Sequence, residues 1–205
     1  MELTDSQKDA LTELINIGYG RAAGALSELT GYRVTLEVPR ISMHPIGELG
    51  SELTQLVDGE VASVNQTFSG PLSGNALLLL DEQAAHALSG LISDGEAIPG
   101  ALDSAGREII TEVGNILLNA WLGVFGNLLQ VQVAFSVPHL QVSNVGGVLR
   151  LMRVAEEELQ YALMIHTRFQ LRTNKVTGYL VMVLGISSFE RMRTELDEWE
   201  VRQTR

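Results

Sequence analysis

The sequence predicts an α+β fold. The expected architecture is an internally duplicated single domain, with two long helices and shorter helices packed on a shared, largely antiparallel β-sheet about a pseudo-two-fold axis. Three observations predict it. The stretch Asp9 to Asn16, closed by Pro39, returns as Glu108 to Asn115, closed by Pro138, and Glu13/Glu112, Asn16/Asn115 and Pro39/Pro138 are all separated by 99 residues. Each copy opens with a long one-sided helical pattern and continues into residues that alternate apolar and polar, the signatures of an amphipathic helix and a half-buried strand. Neither copy carries enough of either to close a core alone, so the economical solution joins both sets of strands in one sheet. One domain is expected over residues 1–205, with repeats at 1–99 and 100–205.

In chain order, residues 6–29 read as a helix, with Thr4 and Gln7 at capping-box spacing and Gly31 as its stop. An ideal wheel puts Leu11, Leu14, Ile15, Gly18, Ala22, Ala25, Leu26 and Leu29 on one side. Asp9, Glu13, Asn16 and Gly20 fall opposite. Val34, Leu36 and Val38 alternate with polar residues over a strand at 33–41, where Pro39 should end the ladder or sit on an edge. Residues 42–60, punctuated by Pro45, Gly47, Gly50 and Gly59, read as loop plus a weak strand. Strands follow at 61–69 and 75–80, then a helix at 82–92 capped by Asp81. Residues 93–102 are the candidate linker.

In the second copy, Asp103 or Ser104 caps a helix at 105–128. Its apolar side carries Ile110, Val113, Leu117, Trp121, Val124, Phe125 and Leu128, with Glu108, Glu112, Asn115 and Asn119 opposite. A strand through Val131, Val133, Phe135 and Val137 ends at Pro138. A Gly146-Gly147 turn, a weak strand and a charged bend at Glu156-Glu157-Glu158 come next. Strands at 160–171 and 178–186 follow, then a helix at 188–200 with Ser187 and Glu190 at capping-box spacing. Gly74 best matches Gly178, so the second copy has a slightly longer loop before its last hairpin, which costs little.

Composition narrows the chemistry. With 205 residues and 45% hydrophobic content the chain can bury a sizeable core. A formal net charge of −11 argues against nucleic-acid binding, which needs clustered Lys and Arg. The absence of cysteine excludes disulfides and thiolate chemistry and fits a reducing compartment. The N-terminus lacks the apolar segment of a signal peptide, and the longest apolar run, Leu180 to Ile186, is too short to span a bilayer. A cytoplasmic protein with no membrane insertion is expected, and the internal duplication favours a monomer. His44, His86, His139 and His166 make no metal-ligand spacing. Met43, Met152, Met164, Met182 and Met192 read as core filler, as does Trp121. The charged residues of the last helix, Arg191 to Glu200, read as a solvated face.

Glu and Asn at i, i+3 stand side by side on a helix surface. The carboxylate offers a docking point for a cation. The carboxamide donates and accepts hydrogen bonds without titrating, so it is a poor general base but can orient a water molecule in a partner's site. A solvated helix face is the ordinary fate of such a pair. Its recurrence in register, at positions core packing does not explain, argues for more. Ile17/Ile116, Leu29/Leu128 and Val34/Val133 also recur, which core packing does explain.

These residues resemble the CheC phosphatases of bacterial and archaeal chemotaxis. The signature is Asp or Ser, three residues, Glu, two residues, Asn, twenty-two residues, Pro. Asp9, Glu13, Asn16 and Pro39 match it fully. Glu112, Asn115 and Pro138 match in the second copy, where Glu108 departs from the pattern. The resemblance implies dephosphorylation of a CheY-like response regulator. Asn16 and Asn115 would orient the attacking water, and Glu13 and Glu112 would pair with a regulator lysine. It implies no cofactor or metal of the chain's own, the Mg2+ belonging to the regulator, and it names the receptor deamidase CheD as a further family partner. Two motifs in one chain favour CheC over CheX, and the length of the chain disfavours FliY, which has an additional flagellar domain. Asn119 replaces the small counterpart Gly20 beside the second motif. A non-catalytic adaptor for CheY or CheD is the alternative, and a purely structural duplicated domain a third reading.

Overall fold

The computed structural model describes residues 3–57, 59–93, 102–128, 132–153, 159–171 and 174–203. The first helix, α1 (Asp5–Thr30), starts where the sequence says it should. Thr4 Oγ1 accepts from Gln7 N at 3.2 Å, and Gln7 Oε1 accepts from Thr4 N at 3.0 Å, a reciprocal capping box. It stops at Gly31, whose φ of 69° is a left-handed conformation that glycine adopts without strain. The strands are β1 (Val34–Pro45), β2 (Glu60–Ser69), β3 (Gly74–Asp81), β4 (Ala134–Phe135), β5 (His139–Asn144), β6 (Leu159–Leu171) and β7 (Asn174–Gly185). The other helices are α2 (Leu49–Leu56), α3 (Glu82–Ser93), α4 (Ser104–Leu128), α5 (Val145–Arg153) and α6 (Ile186–Gln203).

All the strand pairings are antiparallel, in the order β1-β6-β7-β3-β2, with β5 and then β4 lying along the far side of β2. The order is symmetric about the central β3–β7 pair. Strands from each half join the other half's hairpin: β1 pairs with β6, and β4 and β5 pair with β2. That exchange is the two-fold, shared sheet expected from the repeat.

The sheet separates two apolar layers. Ala76, Leu78 and Leu80 of β3, with Leu180, Met182 and Leu184 of β7, face the larger layer beneath α1, α3, α4 and α6. Leu77 and Leu79, with Val181 and Val183, face the smaller layer beneath α2 and α5. A strand covered on both faces is apolar at successive residues, which is why Leu77-Leu78-Leu79-Leu80 reads as an unbroken run. The helices α1 and α4 meet closely at Gly18. A Cβ there would lie 2.9 Å from Val124 Cγ2 and 3.2 Å from the Ala120 carbonyl oxygen, so only glycine permits this approach. Among the described residues, one helical stretch, Ser104–Asn127, is long and apolar enough to cross a membrane, and half of its apolar window is buried within the protein.

Several elements differ from expectation. The strand at 33–41 does not end at Pro39. It runs on to Pro45, and its register with β6 shifts between Glu37 and Arg40. Strand β1 pairs on one side only, so a proline without an N–H is tolerated within a bulge of this edge strand. Residues 42–60 hold the end of β1 and then α2, which was not expected and forms because Leu49 and Leu53, one turn apart, bury in the smaller layer. The Gly146-Gly147 turn is instead the first turn of α5. Asn144 Oδ1 caps it by accepting from Gly147 N at 2.9 Å, and Val148 and Met152 bury beneath it. The strand expected through Val137 is reduced to Ala134–Phe135; pairing resumes only after Pro138, and Val137 is 86% exposed. Ser187 lies inside α6 rather than before it. Ala25 and Leu29 of α1 are exposed despite their place on the apolar side of the wheel, which gives a direction but no neighbour to cover its end. The linker residues 94–101, Val131 and the Glu156-Glu157-Glu158 bend lie outside the described residues.

Two of the expected helix caps and most of the expected core side chains are present. Asp81 Oδ1 accepts from Ala84 N at 2.6 Å and Asp103 Oδ1 from Gly106 N at 2.7 Å, capping α3 and α4. Trp121 and Met152, Met164, Met182 and Met192 are buried, and Met43 is half-buried.

Candidate functional site

Two helix faces present the repeated residues. On α1, Asp9, Glu13, Asn16 and Gly20 are all exposed, while Leu11, Leu14, Ile15, Gly18, Tyr19, Ala22 and Leu26 face inward. Glu13 and Asn16 therefore stand one turn apart on the outer surface. Among the described residues neither side chain has a hydrogen-bond or ion-pair partner, so both are free to meet another molecule. A Cβ at Gly20 would have nothing within 4 Å, so the space one turn beyond Asn16 is open. Ile17 is 46% exposed beside Asn16 and is not the core residue its recurrence suggested. Its counterpart Ile116 is half-buried against the larger layer.

Tyr19 anchors this face from behind. Its hydroxyl hydrogen-bonds the buried Thr167 hydroxyl of β6. Burial pushes the phenol's pKa well above the ordinary tyrosine value, with the Thr167 hydrogen bond opposing the shift. A folded-state pKa above the unfolded one means a contribution that is complete below about pH 10 and is lost as pH rises further. Tyr19→Phe leaves the Thr167 hydroxyl buried and unpaired. It should lower unfolding free energy by about 1–3 kcal/mol in urea titrations at pH 7, and the deficit should shrink above pH 10.

On α4, Glu108 and Glu112 are exposed and Asn115 is half-buried. This copy is not free. Asn119 Nδ2 donates to Asn115 Oδ1 at 2.6 Å, and Asn119 Oδ1 accepts from Gln66 Nε2 of β2 at 3.2 Å. The same Gln66 nitrogen donates to the Ser136 carbonyl oxygen at 3.0 Å. Ser136 is held along β2 in turn, its N–H donating to the Thr67 carbonyl at 2.9 Å and its Oγ accepting from Thr67 N at 2.9 Å. Pro138, two residues on, is half-buried, and Phe135 and Val137 beside it are exposed. The structure thus brings Asn115, Asn119 and the segment before Pro138 together through Gln66. Pro39 lies on β1 in the bulge, and just before it the Glu37 carboxylate pairs across the sheet with Arg168 at 3.4 Å and Lys175 at 3.0 Å. Lys175, then Arg168, holds the Glu37 carboxyl below the usual range.

The sequence reading missed Gln66 and Ser136. Gln66 shares a strand face with Val64 and Phe68, both core residues, and a polar side chain at a core position is the signal that could have found it. Among the described residues no group of three or more His, Cys, Asp or Glu side chains could hold a metal ion.

A model of the CheC-like family matches residues 7–43, from the capping glutamine of α1 into β1, and so includes Asp9, Glu13, Asn16 and Pro39. The CheY-P phosphatase CheC of Bacillus subtilis is 26% identical to the chain over 200 residues, spanning 93% of each protein. The aligned stretch spans most of both repeats and is not confined to the residues that the family model matches. The fold of the chain is shared with Thermotoga maritima FliY, with a TM-score of 0.77, 20% identity and coverage of 97% of this chain and 99% of that one. The FliM middle domain of Vibrio alginolyticus also shares it, with a TM-score of 0.65 at 16% identity over 90% of this chain and 99% of that one. At such identities the structural likenesses speak to the fold. The sequence match to the B. subtilis protein is what bears on chemistry.

Proposed function

We propose that the chain is a phosphatase acting on the phospho-aspartate of a CheY-like response regulator. The observation that carries this reading is the pair of outward-facing Glu–Asn sets on α1 and α4, in a chain similar over nearly its full length to a CheY-P phosphatase. Neither set holds a hydroxyl, thiol or imidazole beside its carboxylates. Both hold an amide suited to positioning a water inside another protein's site.

The step divides between partners. The regulator contributes the phosphorylated aspartate and its Mg2+, which would balance the phosphoryl charge. A water hydrogen donates to the Asn Oδ1, leaving an oxygen lone pair directed at phosphorus. A P–O bond forms to that water as the bond to the aspartate oxygen breaks. The aspartate carboxylate is regenerated and inorganic phosphate leaves, the water proton passing to solvent or phosphate. The Glu carboxylate pairs with a lysine of the regulator and sets the docking angle. An exposed ion pair is worth about 0–1 kcal/mol, which suits a complex that must dissociate after each turnover. Exposed Ile17 on one side, and Phe135 and Val137 on the other, add apolar area around each pair. A regulator partner of this kind places the protein in the cytoplasm.

The test is loss of phosphate from a purified CheY phosphorylated with phosphoramidate, with the chain at one-tenth of the regulator concentration. The expected result is decay that quickens in proportion to the chain and outlasts one turnover per chain. Binding to the phosphorylated regulator without faster decay would replace the enzyme with an adaptor.

A further inference from the structure

The two Glu–Asn sets differ in one respect that bears on the proposed phosphatase, on which the following inference rests. Asn16 is unengaged among the described residues, whereas Asn115 ends a chain of three carboxamides. The direction of that chain follows from its fixed end. The Ser136 carbonyl only accepts, so Gln66, which is 2% exposed, must turn its nitrogen towards it. That same nitrogen reaches Asn119, so Asn119 presents its oxygen to Gln66 and its nitrogen to Asn115. Asn115 then accepts through Oδ1. Gln66 Oε1 is left buried with no hydrogen-bond partner among the described residues, so Gln66 holds its nitrogen in place while its own acceptor goes unmatched there.

The consequence falls on the atom that matters. A carboxamide oxygen can accept a hydrogen from water and leave a water lone pair for phosphorus. A carboxamide nitrogen can only donate, and it would engage the lone pair that has to attack. In the resting state Asn115 commits its oxygen along α4 to the residue one turn on, and its nitrogen is the end of the amide left without a hydrogen bond among the described residues. We propose that Asn119, held by Gln66, restrains Asn115 in an orientation unfit for positioning water, which makes the second site the weaker of the two. Asn119 and Gln66 are positioning residues of a negative kind. On α1 the place of Asn119 is taken by Gly20, which has no side chain. The buried polar residue of β6, Thr167, pairs with the inward-facing Tyr19 and reaches nothing on the outer face.

The experiment isolates the second site by placing every variant on Asn16→Ala. Phosphorylated CheY is supplied over a range of concentrations, and kcat and KM are read separately. Asn119→Ala removes the donor with little cost to helix propensity. Asn119→Leu removes it while keeping the bulk. Breaking one hydrogen bond of ordinary net strength corresponds to about a threefold to tenfold rise in kcat for both variants, with KM nearly unchanged. A fall in KM with Ala but not with Leu would mean that Asn119 hinders docking by size, which overturns the restraint. A fall in kcat with either variant would mean that Asn119 aids Asn115, which also overturns it. Unchanged kinetics in both, against a measurable Asn16→Ala rate, would overturn this inference alone. No acceleration by the unaltered chain would remove the phosphatase reading and this inference with it.

Discussion

The double variant Asn16→Ala/Asn115→Ala should lose the acceleration of regulator dephosphorylation by about 100-fold, leaving decay near the regulator's own rate. The magnitude follows from what one positioned polar group contributes to a hydrolytic transition state, on the order of 10²–10³ in kcat. Asn16 is exposed, and Asn115 is half-buried with its hydrogen bond coming from the exposed Asn119, so the loss should come without loss of fold. Urea unfolding of the double variant should match the parent within about 0.5 kcal/mol, as for other surface substitutions. Asn16→Ala alone should remove most of the activity, because Asn115 is engaged by Asn119 in the resting protein. Asn115→Ala alone should remove little.

Trp121→Ala should have the largest effect on stability, about 3–5 kcal/mol lost in urea titrations. Trp121 is 0% exposed and meets Phe125 edge-on with ring centroids 6.0 Å apart, so truncation opens a cavity in the larger layer that rigid neighbours fill only in part. A domain of ordinary stability holds about 5–15 kcal/mol in total, so this one change removes a large share. The indole N–H is buried without a hydrogen-bond partner among the described residues, a standing cost that the wild-type packing outweighs. Trp121→Phe removes that N–H along with part of the volume, and it should cost clearly less than Ala. Because Trp121 roots α4, the Ala variant should also loosen the helix that carries Glu112 and Asn115.

The legible parts of the fold were those where pattern and packing agree. The stripe on α1 and α4, the doubly apolar β3 and β7, and the caps at Thr4, Asp81 and Asp103 could be read because each uses a local rule that the tertiary structure preserves. The short helices α2 and α5 were hidden by Gly47, Gly50 and Gly146-Gly147, which read as turns. Their signal was the one-turn spacing of Leu49 with Leu53 and of Val148 with Met152, intelligible only once the sheet has a second face to cover. Pro39 was open to two readings, the end of the ladder or an edge position, and the fold uses the second. A proline halts a strand paired on both sides, and β1 is paired on one. At the candidate site, the outward direction of Glu13, Asn16 and Glu112 followed from the wheel. The engagement of Asn115 did not, since it depends on Gln66 and Ser136, which lie 53 residues before and 17 residues after Asn119 and meet it only through the β2–β4 pairing.

The central claim is a division of labour: the Asn amide acts on the reacting water, and the Glu carboxylate acts in docking. The measurement that tests it most directly is steady-state dephosphorylation of CheY by Asn16→Ala and Glu13→Gln, each on an Asn115→Ala background so that one site is read. The account predicts that Asn16→Ala lowers kcat by about 100-fold with KM little changed, and that Glu13→Gln raises KM severalfold with kcat nearly intact. A loss confined to KM in both variants would contradict it, because Asn16 would then bind the regulator without taking part in the attack of water.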